Sequence, residues 1–135
     1  MSAIIEALRH ELKDPEYSEG YAESFLNAYV ATQIKVLREQ RGLKQSDLAR
    51  LIGTTQTGVS RIENVNYSAW NVRTLKKLAR AFRVRLRVSF ETYGDLLHDV
   101  EAFDREALQR VPREEDLALQ EPAVDAVTTP TPTHI

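Results

Sequence analysis

Apolar residues recur at three- and four-residue steps along most of this chain, and in one stretch the period falls to two. Ile4, Ile5, Leu8 and Leu12 predict a short helix over residues 2–12, which Lys13-Asp14-Pro15 interrupts. Phe25, Leu26, Tyr29, Val30, Ile34 and Leu37 predict a long amphipathic helix from about Tyr21 to Gln40, with Gly42 placed as a C-terminal glycine. Two shorter helices are expected over 45–52 and 56–63, followed by a polar loop from Asn64 to Trp70. Asn71 is a good N-cap for a further helix through Phe82, with Val72, Leu75, Leu78, Ala79 and Phe82 on its buried stripe.

After Phe82 the pattern alternates. Val84, Leu86, Val88 and Phe90 are separated by Arg85, Arg87 and Ser89, the pattern of a strand with one buried and one wet face. The chain holds no second alternating run of comparable strength. An isolated strand leaves its backbone groups and apolar face unpaired, so the same strand of a second copy is the expected partner. Val84, Leu86, Val88 and Phe90 therefore become candidate dimer residues. Helical spacing returns over 95–111 through Leu96, Leu97, Val100, Phe103, Leu108 and Val111, and Pro112 stops it.

At 135 residues the chain can bury one modest core, which favours a single domain with appendages. The expected division is an N-terminal helical extension (1–20), a central helical domain (21–82), a strand plus acidic helix for dimerisation or partner binding (83–111), and a disordered acidic and Pro/Thr tail (112–135). The fold class is mainly α, with one C-terminal strand pairing across a dimer. There is no cysteine, which removes thiol chemistry and disulfides and makes a reducing cytoplasm the simplest address. No stretch approaches the roughly 18 apolar residues of a membrane span, so no membrane partner is expected.

The net charge of −2 conceals a partition. Residues 1–31 carry two Lys/Arg against six Asp/Glu (−4), residues 32–90 thirteen against three (+10), and residues 91–135 three against eleven (−8). A basic centre of that size suits a polyanion, because neutralised phosphates release counterions; a solvated basic surface would look the same by charge alone.

The segment LKQSDLARLIGTTQTGVSRIEN, Leu43 to Asn64, has what two short helices crossing steeply require. Leu48, Ile52, Val59 and Ile62 supply apolar contacts, Ala49 permits close approach, Gly53 suits a left-handed turn, and Thr55 can cap the second helix. In Gln45, the Leu48-Ala49 pair, Gly53, Gln56 and the run Val59 to Asn64, the segment closely resembles the helix-turn-helix of the Cro/phage-repressor (XRE) family. The resemblance covers Ile34 to Phe82 and implies a lambda-repressor-like bundle. Thr54 and Lys44 depart from the pattern, standing where an apolar residue and a Ser/Thr cap are usual.

In that family the second helix lies in the major groove, which makes Gln56, Thr57, Ser60 and Arg61 the base readers by resemblance. Their chemistry agrees: a glutamine amide pairs with adenine, an arginine fork with guanine, and a threonine methyl with that of thymine. DNA-backbone contacts are expected from Lys44, Gln45, Asn64, Asn66 and Arg73. Gly58 is read either as a close approach to DNA or as a tolerated glycine. Tyr67 and Trp70 either stack on sugar or cover the core, with core cover favoured; Arg83, Arg85 and Arg87 are assigned to solvent rather than phosphate.

His10, His98 and His134 have no ligand spacing, and no phosphate-cradling glycine loop or nucleophile turn is present, so neither a metal, a cofactor nor an enzymatic activity is expected. The expected function is a sequence-specific transcriptional regulator, a repressor acting as a homodimer on double-stranded DNA at a near-palindromic operator. It would work in the cytoplasm of a bacterium, whether chromosomal or phage-encoded, and sit on the nucleoid when bound. The alternative is an antitoxin: a late helix-turn-helix after an acidic stretch such as DPEYSEGYAESF is similar to HigA-type antitoxins, which implies a basic toxin protein as partner. A pure protein-interaction module is the third option, disfavoured because the reader positions keep side chains apt for bases.

Overall fold

The computed structural model describes residues 2–120 and contains six helices: α1 (Ala3–Glu11), α2 (Pro15–Gln40), α3 (Gln45–Ile52), α4 (Gln56–Ile62), α5 (Val72–Phe82) and α6 (Tyr93–Glu101). Three 3₁₀ turns follow, at Glu106–Leu108, Arg113–Glu115 and Leu117–Leu119. Among the described residues no helix is long and apolar enough to cross a membrane.

Helix α2 organises the molecule. At 26 residues it is about 39 Å long, and different parts of it pack against two separate cores. It begins six residues before the expected Tyr21, because the residues that end α1 also start α2. Asp14 caps it through a 2.7 Å bond from the Tyr17 amide, and Pro15 occupies the first turn, where a missing amide hydrogen costs nothing. The sequence break was a helix start. Gly42, at φ +71, closes the other end, and the Leu43 amide returns to the Arg38 carbonyl at 3.0 Å.

The main core joins Ile34 and Leu37 of α2 to Leu48, Ala49 and Ile52 of α3, Val59 and Ile62 of α4, and Leu78 and Phe82 of α5. Tyr67 and Trp70, edge to face with ring centres 4.7 Å apart, pack against it, in line with core cover. The expected caps are in place: Thr55 accepts from the Gly58 amide at 3.0 Å and Asn71 from the Thr74 amide at 2.8 Å. Gly53 has φ +77, and a Cβ built there meets nothing within 4 Å. The cost of a side chain at this turn is therefore backbone strain alone. Gly53→Ala is expected to destabilise the protein by about 1 to 2 kcal/mol, read as a lower thermal midpoint with an unchanged fold.

A second, smaller core contains Ile5 and Leu8 of α1 and Leu97 of α6, with Leu12, Tyr21 and Val100 against it. Beside it the Phe103 ring meets Phe25 (5.3 Å) and Tyr29 (5.8 Å). The predicted helix over 95–111 is corrected here. It stops at Glu101, and the Asp104 carboxylate takes the Ala107 amide at 2.9 Å, a local bond that competes with the helical ladder and starts the 3₁₀ turn. Leu108 is nevertheless fully buried, and its carbonyl accepts from the Gln33 side chain at 3.0 Å.

The expected strand over 84–90 is also corrected for the single chain: among the described residues no strand is present, because no ladder partner lies within the chain. The period-two character persists in side-chain contacts. Ser89 donates to Glu91 at 2.8 Å and Arg87 lies 3.9 Å from the same carboxylate, which places residues 87, 89 and 91 on one side. Val84 packs on the main core and Leu86 is half-buried, whereas Val88 is 68% exposed and Phe90 fully exposed.

The expected disordered tail over 112–135 is corrected for residues 112–120. Residues 112–120 lie against the end of α5, where Arg83 takes a left-handed conformation (φ 59). The Arg113 amide donates to the Arg83 carbonyl at 2.9 Å, Arg83 pairs with Glu114 at 2.8 Å, and Arg41 donates twice to the Phe82 carbonyl (3.1 and 2.8 Å). Burial lowers the pKa of the Arg41 guanidinium, as does the positive charge of Arg83, with Glu115 and Glu114 offsetting them. The remainder of that expected tail, 121–135, lies outside the described residues.

Glu114 gives this clasp a pH dependence. The hydrogen bond from Arg83 is the main cause holding its carboxyl below the ordinary range, followed by a backbone amide. A depressed carboxylate stabilises the fold above its unfolded value and loses that contribution as pH falls through the lower, folded one. Amides 113–120 are expected to lose hydrogen-exchange protection on acidification before those of α5 do, and simultaneous loss would show that the clasp is not an independent unit.

Candidate nucleic-acid interface

Helix α4 turns Val59 and Ile62 into the main core, and the remaining face is left to solvent. Gln56, Thr57, Ser60 and Arg61 are all exposed. Positions 56 and 60, and 57 and 61, are four apart, so the four expected readers share one outward face. Thr55 fixes the start of this helix, and the left-handed turn at Gly53 sets its angle to α3.

The expected backbone-contact residues surround that face. Lys44 precedes α3 and is exposed; its amide donates to Asp47 at 2.8 Å, so Asp47 supplies the cap that lysine cannot. The same bond is the first cause of the lowered Asp47 pKa. Asn64 is exposed, and its side chain accepts the Asn66 amide at 2.8 Å, which fixes the entry to the loop. Arg61, Asn64, Asn66, Tyr67, Ser68 and Ala69 line one open groove of about 420 Å³, bringing a reader together with two of the backbone candidates. Arg73 stands exposed on the first turn of α5 outside that groove.

Beneath the expected readers lies a polar network that the sequence pattern does not reveal. Arg38 of α2 grips Glu63 through Nε–Oε2 (2.6 Å) and Nη2–Oε1 (3.0 Å), and its Nη1 donates to the Leu43 carbonyl at 2.9 Å. The two side chains are only 11% and 4% exposed. Glu63 Oε1 also accepts from Gln45 Nε2 at 3.2 Å, and Gln45 Oε1 receives Gln56 Nε2 at 3.5 Å. Gln45 is thus half-buried and structurally engaged. A buried ion pair orients the Gln45 amide beside Gln56, which keeps a second amide hydrogen and its carbonyl oxygen for an outside partner. The available signal was Glu63, the one acid between Leu48 and Phe90.

Gly58 receives a local explanation. A Cβ at this position would stand 2.5 Å from the Thr54 hydroxyl, so the side chain that departs from the family pattern occupies the space above the glycine. A second basic groove, of about 540 Å³ and including Arg50, Lys77 and Arg80, lies between the ends of α3 and α5 opposite those that carry Gln45 and Arg73. None of these three belongs to the expected contact set.

This geometry, two capped helices locked by a left-handed glycine with a polar outer face, defines a helix-turn-helix, and residues 34–89 match the Helix-turn-helix family. That portion of the chain is a helix-turn-helix similar to those of the Cro/phage-repressor (XRE) type. Among curated proteins the chain is similar to the HTH-type transcriptional repressor RghR of Bacillus subtilis (strain 168), at 33% identity over 88 residues. The similarity takes in 53% of this chain and 65% of that protein. No solved structure matches the chain.

Proposed function

We propose that the protein is a transcriptional repressor that binds a near-palindromic operator as a homodimer. The observation that carries this reading is the shared exposed face of Gln56, Thr57, Ser60 and Arg61, backed by a core and by the Arg38–Glu63–Gln45 network. Gln56 and Arg61 read base edges, Thr57 and Ser60 complete the contact, and Lys44, Gln45, Asn64, Asn66 and Arg73 hold the phosphates on either side. The repressor named above, similar over about half of this chain, supports the regulatory sense of the binding. Residues 84–90 pair with their counterparts in the second copy, which sets two reading helices about one helical turn, roughly 34 Å, apart on DNA. Such a protein works where the bacterial chromosome is, in the cytoplasm.

The test separates reading from holding. Arg61→Ala is expected to cost about 1 to 3 kcal/mol of specific binding and to relax selectivity at one base pair of each half-site. Arg73→Ala is expected to weaken all DNA alike and to reduce the slope of log affinity against log salt. Binding measured against selected and scrambled duplexes at several salt concentrations checks both. Intact selectivity in Arg61→Ala would overturn the docking.

A second reading, an antitoxin that also represses its own operon, is favoured by one observation: α1, the first half of α2 and α6 build a core apart from the helix-turn-helix, in acidic parts of the chain. A basic toxin would dock there. Loss of protection from growth arrest on deleting α6, with operator binding retained, would support it; full protection would remove it.

A further inference from the structure

Residues 84–92 leave the main core with a defined polarity. Val84 is packed and Leu86 half-buried, but Val88 and Phe90 carry their apolar surface into solvent. Among the described residues no backbone hydrogen bond joins Arg85–Glu91 to another segment, and Arg85 makes no ion pair. The chemistry on the other side is as specific. Arg83, Arg85 and Arg87 precede Ser89 and Glu91, so cations fill one half of the wet side and an acid ends the other.

A strand paired with its own copy meets a constraint that a strand paired with another sequence does not. In a parallel pair every residue lies beside its own counterpart, so Arg85 and Arg87 would each face an identical charge, which is destabilising. An antiparallel pair about a two-fold axis can centre on only a few residues, because a slip of one position that mixed odd with even residues would put apolar side chains opposite arginines. Centring on Arg87 sets that residue against itself. Centring on Ser89 leaves Leu86 opposite Thr92, one residue before α6 begins. Centring on Val88 puts Arg85 opposite Glu91, Arg87 opposite Ser89, Leu86 opposite Phe90 and Val88 opposite Val88.

We propose that the chain dimerises through an antiparallel ribbon of residues 85–91 with its two-fold axis at Val88, in which Arg85 of each copy faces Glu91 of the other. This inference deepens the strand-paired dimer proposed above and rests on it. The ribbon covers what the single chain leaves open: Phe90, fully exposed in one copy, reaches across to the half-buried Leu86 of the other. Glu91 exchanges its own-chain contacts with Ser89 and Arg87 for a pair across the strands. Partner choice is thereby written into the register, since a foreign strand must present both an acid opposite Arg85 and an apolar residue opposite Leu86.

The chain contains no cysteine, so single cysteines report the axis directly. Arg87→Cys, Val88→Cys and Ser89→Cys are each made in the full chain and treated with a mild oxidant or a short bis-maleimide. At the axis a residue lies beside itself, with Cβ atoms within about 5.5 Å, whereas a residue one step away is displaced by two positions along the partner. Val88→Cys is expected to give the covalent dimer and the others little. Cross-linking strongest at 87 or 89 overturns the register but keeps the paired dimer; equal cross-linking at all three indicates a parallel pair and overturns the proposal. A monomer in sedimentation with no cross-link at any position overturns the dimer itself. Charge exchange supplies an independent check: Arg85→Glu or Glu91→Arg alone is expected to weaken dimerisation about tenfold, and the two together to return it to within about threefold of the parent.

Discussion

Arg38→Met is expected to lower the unfolding free energy by about 3 to 5 kcal/mol, a large fraction of what holds a domain of this size together. The reason lies in what the substitution leaves behind. Glu63 is 4% exposed at its side chain, and without the guanidinium its charge keeps only the Gln45 amide as a partner. Methionine fills much of the space but offers no donor, and the Leu43 carbonyl loses its bond as well. Removing both charges is a different case: Arg38→Met with Glu63→Leu replaces a desolvated pair by apolar contacts and is expected to recover most of the stability. It should not recover operator affinity, because Gln45 then has nothing to fix its amide beside Gln56. Chemical denaturation and a binding isotherm on the same two proteins separate these effects. Full binding by the double variant would show that the network is structural only.

The contrast between that network and the rest of the site explains what could be read from sequence. Local rules located the turn, the caps and the apolar contacts of the reading unit, since Gly53, Thr55, Asn71 and the Leu48/Ile52/Val59/Ile62 set act over a few residues with fixed spacing. The Arg38–Glu63 pair spans 25 positions and joins two elements whose separate patterns give no reason to match them. Long-range polar contacts have no period. The same applies to Arg41, which closes the end of α5 on the Phe82 carbonyl, and to residues 112–120, whose acidic composition reads as a solvated tail until Arg83 is placed beside Glu114.

Helix boundaries failed where one residue serves two elements. Pro15 reads as a break from the side of α1 and as a first-turn residue from the side of α2. Asp104 lies inside a run with helical spacing, yet its side chain takes an amide that the helix would have used. The strand is the instructive case. Its alternation was legible, its partner was not in the chain, and the fold leaves the same residues without a ladder. Pattern and structure state one fact from two sides: Val88 and Phe90 have apolar surface that this chain alone does not cover.

That uncovered surface leads to the second large effect. The double variant Arg87→Pro/Val88→Pro is expected to turn the proposed dimer into a monomer and to weaken operator binding by about 10²- to 10⁴-fold, the usual gain from linking two binding events. Two prolines are needed because amides of neighbouring strand residues point to opposite edges, so one of the pair must face the partner in any register. The helix-turn-helix itself should survive. Residues 87 and 88 are exposed, and the core formed by α2 to α5 draws only Val84 from this stretch. Thermal unfolding near that of the parent at low concentration, with sedimentation at the monomer mass, is therefore the expected combination. The variant should still bind a single half-site as weakly as the parent does, because the face of Gln56 and Arg61 is untouched. If it remains a dimer, the second copy docks elsewhere on the molecule, and the proposed spacing of about 34 Å between two reading helices must be set by a different surface.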